Sequence, residues 1–364
     1  MNNSFLDFSP IPQYIIKKPR YGVLTDAQLW TISFIFLVTS LLSLFGTGSI
    51  IYVAIKKKKV CSSGVLPLFH LCLADFLGGF ILIIGTSEHF TNSVRNRTFC
   101  LVLTMLATSF YMTTFVLTVN YAWKVYRQVK IRADPIPLLE TSSSIANVSH
   151  PWYRISTPAL VYFLCWFVPF AFSMFVMFSD SEYDENKEFI LNDDICSCCF
   201  PLFVYESSSC QRSENFDHHF NWYSHYKFVF LFLLLISSIL ITILYGLIFA
   251  MFKGLLLTGG VIGPSQYKLL YSARRRAGLF AAVFHFSWLS TLILGSISFK
   301  AKFSMTEYYP LFVIQACTSP LQGFLNSMIY GWQRKTFRVA LNEETPLLDP
   351  ASVAPDFTSD ANVN

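Results

Sequence analysis

The sequence predicts an all-α membrane protein, a bundle of seven transmembrane helices followed by a short amphipathic eighth helix. Three observations carry that reading. Only 13% of the 364 residues are charged, against 53% hydrophobic and 17% aromatic, whereas a soluble domain carries about 25% charged residues. Seven stretches reach the roughly 20 mostly apolar residues that cross a hydrocarbon core of about 30 Å. Basic residues collect in alternate connections between those stretches. A chain this apolar, with a mean hydropathy of +0.47, is neither disordered nor built to bind nucleic acid.

The elements follow in order. An outer amino-terminal segment, 1–27, has no apolar run of the kind a cleavable signal peptide needs, so the first helix is expected to act as its own insertion signal. The first span runs from Gln28 to Ile55 and stops against Lys56 to Lys59. The second, Val65 to Ile84, is interrupted only by Pro67, His70 and Asp75, and the third runs from Phe99 to Tyr126. The fourth is Ile155 to Phe178, and a long acidic outer loop, 179–227, separates it from the fifth, Phe228 to Phe252. Gly278 to Phe299 and Leu311 to Tyr330 complete the bundle, 28–330. In 331–341, Trp332, Phe337 and Leu341 share one side, with Arg334, Lys335 and Arg338 among the polar positions, a pattern suited to a short helix on the inner leaflet. The polar tail, 342–364, is expected to be disordered.

Orientation comes from the cations. An outside amino terminus puts 17 of the 27 Lys and Arg residues in the segments 56–59, 124–154, 253–276 and 334–338, all cytoplasmic. Most acids fall on the other side. The net charge of +5 therefore reports a basic inner face, and the carboxyl terminus is expected in the cytoplasm.

Five cysteines fall on the outer side, where disulfides form: Cys100, Cys196, Cys198, Cys199 and Cys210. Their odd number leaves one free or paired elsewhere. A bridge from Cys100 to the loop would tether it over the bundle; zinc binding by Cys196, Cys198 and Cys199 with His218 and His219 is the alternative, although the spacing fits no compact ligand pattern and no metal is expected. Cys61, Cys72, Cys165 and Cys317 fall inside or in the membrane and are expected to stay reduced. Asn2 and Asn96 head outer glycosylation sequons; Asn147 heads one that falls inside.

Asp75 is the only acid in a predicted span, and a charge at mid-bilayer costs about 2.5–3.5 kcal/mol on insertion scales. Thr114 lies about 21 Å down the third helix from Cys100, near the depth of Asp75, and Asn326 and Tyr330 lie in the inner half of the seventh. Asp75, Thr114, Asn326 and Tyr330 thus form a candidate polar cluster for a Na⁺ or a proton, the alternative being a hydrogen-bond knot without an ion. Higher up, Thr108, Tyr111, His285, Trp288 and Gln315 are candidates to line a cavity opening outward. No other cofactor is expected.

Seven helices, a cysteine opening the third, and Leu-Cys-Leu-Ala before Asp75 resemble the G-protein-coupled receptor superfamily. The run from Pro320 through Gln322, Gly323 and Phe324 to Tyr330, Gly331 and Trp332 resembles cyclic-AMP-receptor-like receptors and the ocular-albinism type 1 receptor, with kinship to the Gln-Gly signature of secretin-like receptors. Gly46-Thr47-Gly48-Ser49 is also similar to those groups, and in size and character the chain is similar to the transmembrane protein 116 family. The resemblance covers Gln28 to Leu341. It implies a bridge from Cys100 to the second outer loop, an outer ligand, and a heterotrimeric G protein at the inner face, with Tyr126, Arg127, Arg274, Arg275 and Arg276 as candidate contacts. The rhodopsin-like Asp-Arg-Tyr is replaced by Lys124-Val125-Tyr126 followed by Arg127, the seventh helix lacks the proline after Asn326, and Phe286-Ser287-Trp288 has no proline beside it. Activation by the rhodopsin-like switch is therefore not implied.

In the tail, Glu343-Glu344-Thr345-Pro346-Leu347-Leu348 matches an acidic dileucine signal, with Glu343, Leu347 and Leu348 for a clathrin adaptor, which adds an endosomal or lysosomal address to the plasma membrane. The expected function is a signalling receptor. A transporter or channel using the Asp75 cluster is the alternative, against which stand a single intramembrane acid and no visible inverted repeat. An enzyme is not expected, since neither His-Glu-x-x-His nor Gly-x-Ser-x-Gly occurs.

Overall fold

A computed structural model of the chain describes residues 24–56, 65–91, 97–133, 151–181, 222–257, 264–299 and 306–332. The regular structure in them is helical throughout: α1 (Asp26–Lys56), α2 (Leu66–Thr91), α3 (Arg97–Ala133), α4 (Pro151–Ser181), α5 (Trp222–Leu257), α6 (Pro264–Ile297), α7 (Tyr309–Thr318) and α8 (Gln322–Trp332). Among the described residues, five helices hold stretches long and apolar enough to cross a membrane, Ala27–Lys56, Leu66–Ser87, Val102–Arg127, Tyr226–Gly254 and Ala277–Ile297. The apolar stretch of α4, Ala159–Phe175, is shorter.

Several helices outrun the spans read from the sequence. α3 continues to Ala133 and α6 begins at Pro264, because hydropathy marks only the hydrocarbon crossing while good helix formers such as Arg, Lys and Gln carry the backbone ladder further. The ends of the long outer loop are helical too, 179–181 belonging to α4 and 222–227 to α5.

The seventh apolar stretch is two helices, not one. Pro320 has no N–H, so it cannot donate to the Ala316 carbonyl four residues back. The Thr39 hydroxyl of α1 donates to that carbonyl instead, at 3.0 Å. Ser319 N still reaches Gln315 O at 3.0 Å, and a regular i−4 bond resumes with Leu325 N to Leu321 O at 3.0 Å. Gly331 and Trp332, assigned from the sequence to a separate amphipathic helix, complete α8, and 333–341 lie outside the described residues.

α3 is the hub, packed against α2, α4, α5 and α6, while α1 lies against α2, α7 and α8. The main core joins Phe115, Phe230, Phe284, Trp288 and Phe312, all 3% exposed or less. A second joins Leu68, Leu71 and Cys72 of α2 to Leu117, Tyr162 and Cys165. Large apolar side chains also cover the outside, Phe45, Phe34 and Phe163 being 77%, 60% and 59% exposed. Water would disfavour so much apolar surface and lipid does not.

Candidate functional site

Asp75 of α2 is 6% exposed. The Thr114 hydroxyl of α3 donates to its Oδ1 at 3.1 Å, and the Asn326 amide Nδ2 of α8 donates to its Oδ2 at 3.1 Å. The structure thus brings together three of the four residues of the candidate cluster; α8 contains Tyr330, whose side chain lies outside the described residues. A carboxylate accepts about four hydrogen bonds, so each oxygen keeps capacity for a further donor or a cation.

Small residues allow this approach. A Cβ on Gly323 would meet Ser43 Oγ at 2.3 Å, Thr47 Cγ2 at 2.8 Å and Asp75 Cβ at 3.0 Å, so no side chain fits between α8 and its neighbours α1 and α2. A Cβ on Gly46 would lie 3.1 Å from Phe324 Cα and 3.2 Å from Ser327 Cβ. The hydroxyls of Thr47 and Ser327 bond back to Ser43 O and Gly323 O of their own helices, at 2.6 and 2.8 Å, which leaves the seam free of polar demands. This is small-residue packing between membrane helices. It gives the glycines at 46 and 323 a physical role.

A hydroxyl-rich seam brackets the break at Pro320. The Ser287 carbonyl of α6 accepts from Thr318 Oγ1 at 3.3 Å and Ser319 Oγ at 3.1 Å. Thr291 and Ser319 hydroxyls lie 3.0 Å apart, Ser290 and Thr318 hydroxyls 3.2 Å, and Gln315 Nε2 donates to Thr291 Oγ1 at 3.1 Å. One turn inward, Trp288 Nε1 donates to Gln322 Oε1. Ser287 Oγ and Gln315 Oε1 are buried without a hydrogen-bond partner. None of Ser287, Ser290, Thr291, Thr318, Ser319 and Gln322 was singled out from the sequence as a site residue, although the spacing of Ser287, Ser290 and Thr291 marks one polar face on an otherwise apolar helix.

The outward candidates divide. Trp288 is enclosed by Tyr111 at 4.8 Å and Phe115 at 4.7 Å between ring centroids, both edge-on, and Gln315 reaches Thr291 one turn above it. Thr108 is fully buried and bonds back to Thr104 O at 2.7 Å. His285 is turned away from this group, its Nε2 lying 3.1 Å from Thr242 Oγ1 of α5 and its Nδ1 2.7 Å from Ala281 O. An imidazole finds hydrogen bonds at that edge that the aromatic core around Phe284 would deny it.

At the basic end, Tyr126 packs on Trp123 at 5.5 Å and Arg127 is exposed. Arg274 lies over the rings of Phe249 and Phe252 at 4.4 and 4.8 Å, a cation–π pairing to α5, and Arg275 is exposed. The side chain of Arg276 lies outside the described residues. So do the side chain of Cys100 and all of Asn2, Asn96, Cys196, Cys198, Cys199, Cys210, Glu343, Leu347 and Leu348. Cys72, Cys165 and Cys317 are free thiols. Among the described residues no group of three or more His, Cys, Asp or Glu side chains is placed to hold a metal ion.

A family model described as Transmembrane protein 116 matches residues 30–359, nearly the whole chain and the whole of the seam just described. The chain is also similar to cyclic AMP receptor-like protein C of Dictyostelium discoideum, 27% identical over 293 residues that cover 77% of this chain and 67% of that protein. With the apolar helices, these likenesses make the chain a multi-pass membrane protein of receptor-like character.

Proposed function

The chain belongs to the transmembrane protein 116 family, and on that premise we propose that it is a seven-helix receptor that carries an outer signal to a heterotrimeric G protein. In this reading α4 makes the fourth crossing, α7 and α8 together make the seventh, and the amino terminus is outside the plasma membrane. The ligand acts from the outer side, above Tyr111, Trp288 and Gln315. The G protein meets the basic end, at Tyr126, Arg127 and the Arg274–Arg276 run.

One observation carries the proposal. Adjacent residues at the start of α8 face two different halves of the bundle: Gln322 accepts from Trp288 of α6, and Gly323 packs against α1 and Asp75 of α2. A shift of α6 that moves Trp288 therefore acts on α8 and, through Asn326, on the Asp75 carboxylate. Pro320 supplies a joint immediately above, and the unpartnered Ser287 Oγ and Gln315 Oε1 offer a second set of hydrogen bonds for a rearranged state. Two packings of one seam, differently favoured by a ligand, are what a switching receptor requires. Na⁺ or a proton at Asp75 would bias the same equilibrium.

The test is cyclic AMP and calcium output in cells expressing the full chain, with surface display measured by an amino-terminal tag. Basal output above empty cells that is lost in the Tyr126→Ala, Arg127→Ala variant at equal display supports coupling. Silence at good display, joined by ion flux through the purified chain in liposomes, would overturn it in favour of a transporter.

A further inference from the structure

A second ionisable residue is half-buried in the bundle, and the described residues around it supply no acid. Lys124 lies near the basic end of α3. Its ammonium donates to the Tyr162 hydroxyl of α4 at 2.7 Å and sits 4.6 Å from the centre of the same ring. Among the described residues no carboxylate pairs with it. Two N–H donors of Lys124 thus remain, with no acid among the described residues to accept them.

Tyr162 is held in place. Tyr162 is 4% exposed, and its ring stacks on His70 of α2 at 4.4 Å with 16° between the planes. The indole Nε1 of Trp166 donates to His70 Nδ1 at 3.2 Å. An indole N–H only donates, so Nδ1 is the acceptor and the ring proton sits on Nε2, away from that bond. His70 of α2 and Trp166 of α4 therefore fix the ring whose hydroxyl Lys124 reaches.

Depth identifies what can reach the ammonium. Trp123, next to Lys124, is 48% exposed and packs on Tyr126, an aromatic pair of the kind that sits at the headgroup level. Next to Tyr162, the outer face of α4 presents the stacked pair Phe163 and Phe167, 59% and 54% exposed, as a surface for acyl chains. Further along α3, Arg127 and Lys130 are exposed and keep the local potential positive. We propose that Lys124, where α2, α3 and α4 meet, binds the phosphate of an anionic glycerophospholipid, with Tyr162 as the group that positions its ammonium. The assignment of this lipid to the cytoplasmic leaflet rests on the orientation proposed above; the site itself does not depend on orientation or on signalling.

The test uses the purified full chain in nanodiscs of phosphatidylcholine alone or with phosphatidylglycerol, read by thermal unfolding and by native mass spectrometry of retained lipid. Phosphatidylglycerol should raise the unfolding midpoint of the wild type and be retained through desolvation. Lys124→Gln should remove the rise and weaken retention about tenfold or more, the effect of one charge-assisted hydrogen bond. Tyr162→Phe, which keeps the stack on His70, should give a partial loss, and Lys130→Gln should respond as the wild type does. The proposal is overturned if Lys124→Gln gains the full rise, if Lys124→Gln and Lys130→Gln lose it equally, or if inorganic phosphate alone produces the same rise.

Discussion

Asp75 and Lys124 are both ionisable residues held within one helical bundle, and the protein treats them in opposite ways. Each oxygen of Asp75 receives a donor from a different helix, and Gly323 lets α8 close against it. Lys124 has a hydroxyl and an aromatic face and, among the described residues, no acid. A buried charge is tolerated only when paired or hydrogen-bonded. At Asp75 that requirement is met from within the fold, which suits a residue that reports on packing. At Lys124 it is left to the surroundings, which suits a residue that reports on the membrane.

Substitutions can break this contrast, and the largest effect is expected where the Asp75 seam is tightest. Gly323→Val should push three fixed neighbours apart and cost about 3 kcal/mol, the upper end for overpacking, seen as a lower unfolding midpoint of the purified full chain. An unchanged midpoint would mean that α1 and α2 yield freely there. Asp75→Ala should cost a similar amount, because it strands the Thr114 hydroxyl and Asn326 amide at about 1–3 kcal/mol each unless water enters. Asp75→Asn keeps the volume and an acceptor and should cost less. Should the two prove equal in a thermal scan, the carboxylate's hydrogen bonds are not what holds the site.

Smaller effects sharpen the comparison. Thr114→Val removes one donor and should cost about 0.6 kcal/mol, the mean for a hydrogen bond between membrane helices. A double-mutant cycle with Asn326→Leu measures how far the two donors act together. Lys124→Gln in a bilayer of phosphatidylcholine alone should lower the midpoint only slightly, since the amide can still donate to Tyr162 and the described residues give that charge no acid to lose. A marked fall there would place its missing partner within the protein.

The Asp75 site was legible in the sequence to a degree that the Lys124 site was not. A lone acid in an apolar run stands out, and helix rise alone sets Thr114 near its depth. A lysine at the end of a span reads as an inner-face anchor, and nothing in the residues around it gives the register that brings Tyr162 and His70 beside it. The break in the seventh stretch was hidden for a different reason. Hydropathy counts side chains, whereas Pro320 acts through a missing backbone N–H, which Thr39 of α1 compensates from 277 residues away. His285 reads from the sequence as a candidate lining residue of an outward cavity, and Thr242, which draws it toward α5, lies on another helix altogether.

The central claim is that the junction between α7 and α8 couples α6 to Asp75. Basal cyclic AMP and calcium output of the Gln322→Leu and Asp75→Asn variants, compared with the full chain at equal surface display, tests it most directly. The account predicts that both variants shift basal output in cells where the wild type signals, since each removes one end of the same connection. Output equal to the wild type in both, with display and unfolding midpoint preserved, would contradict it.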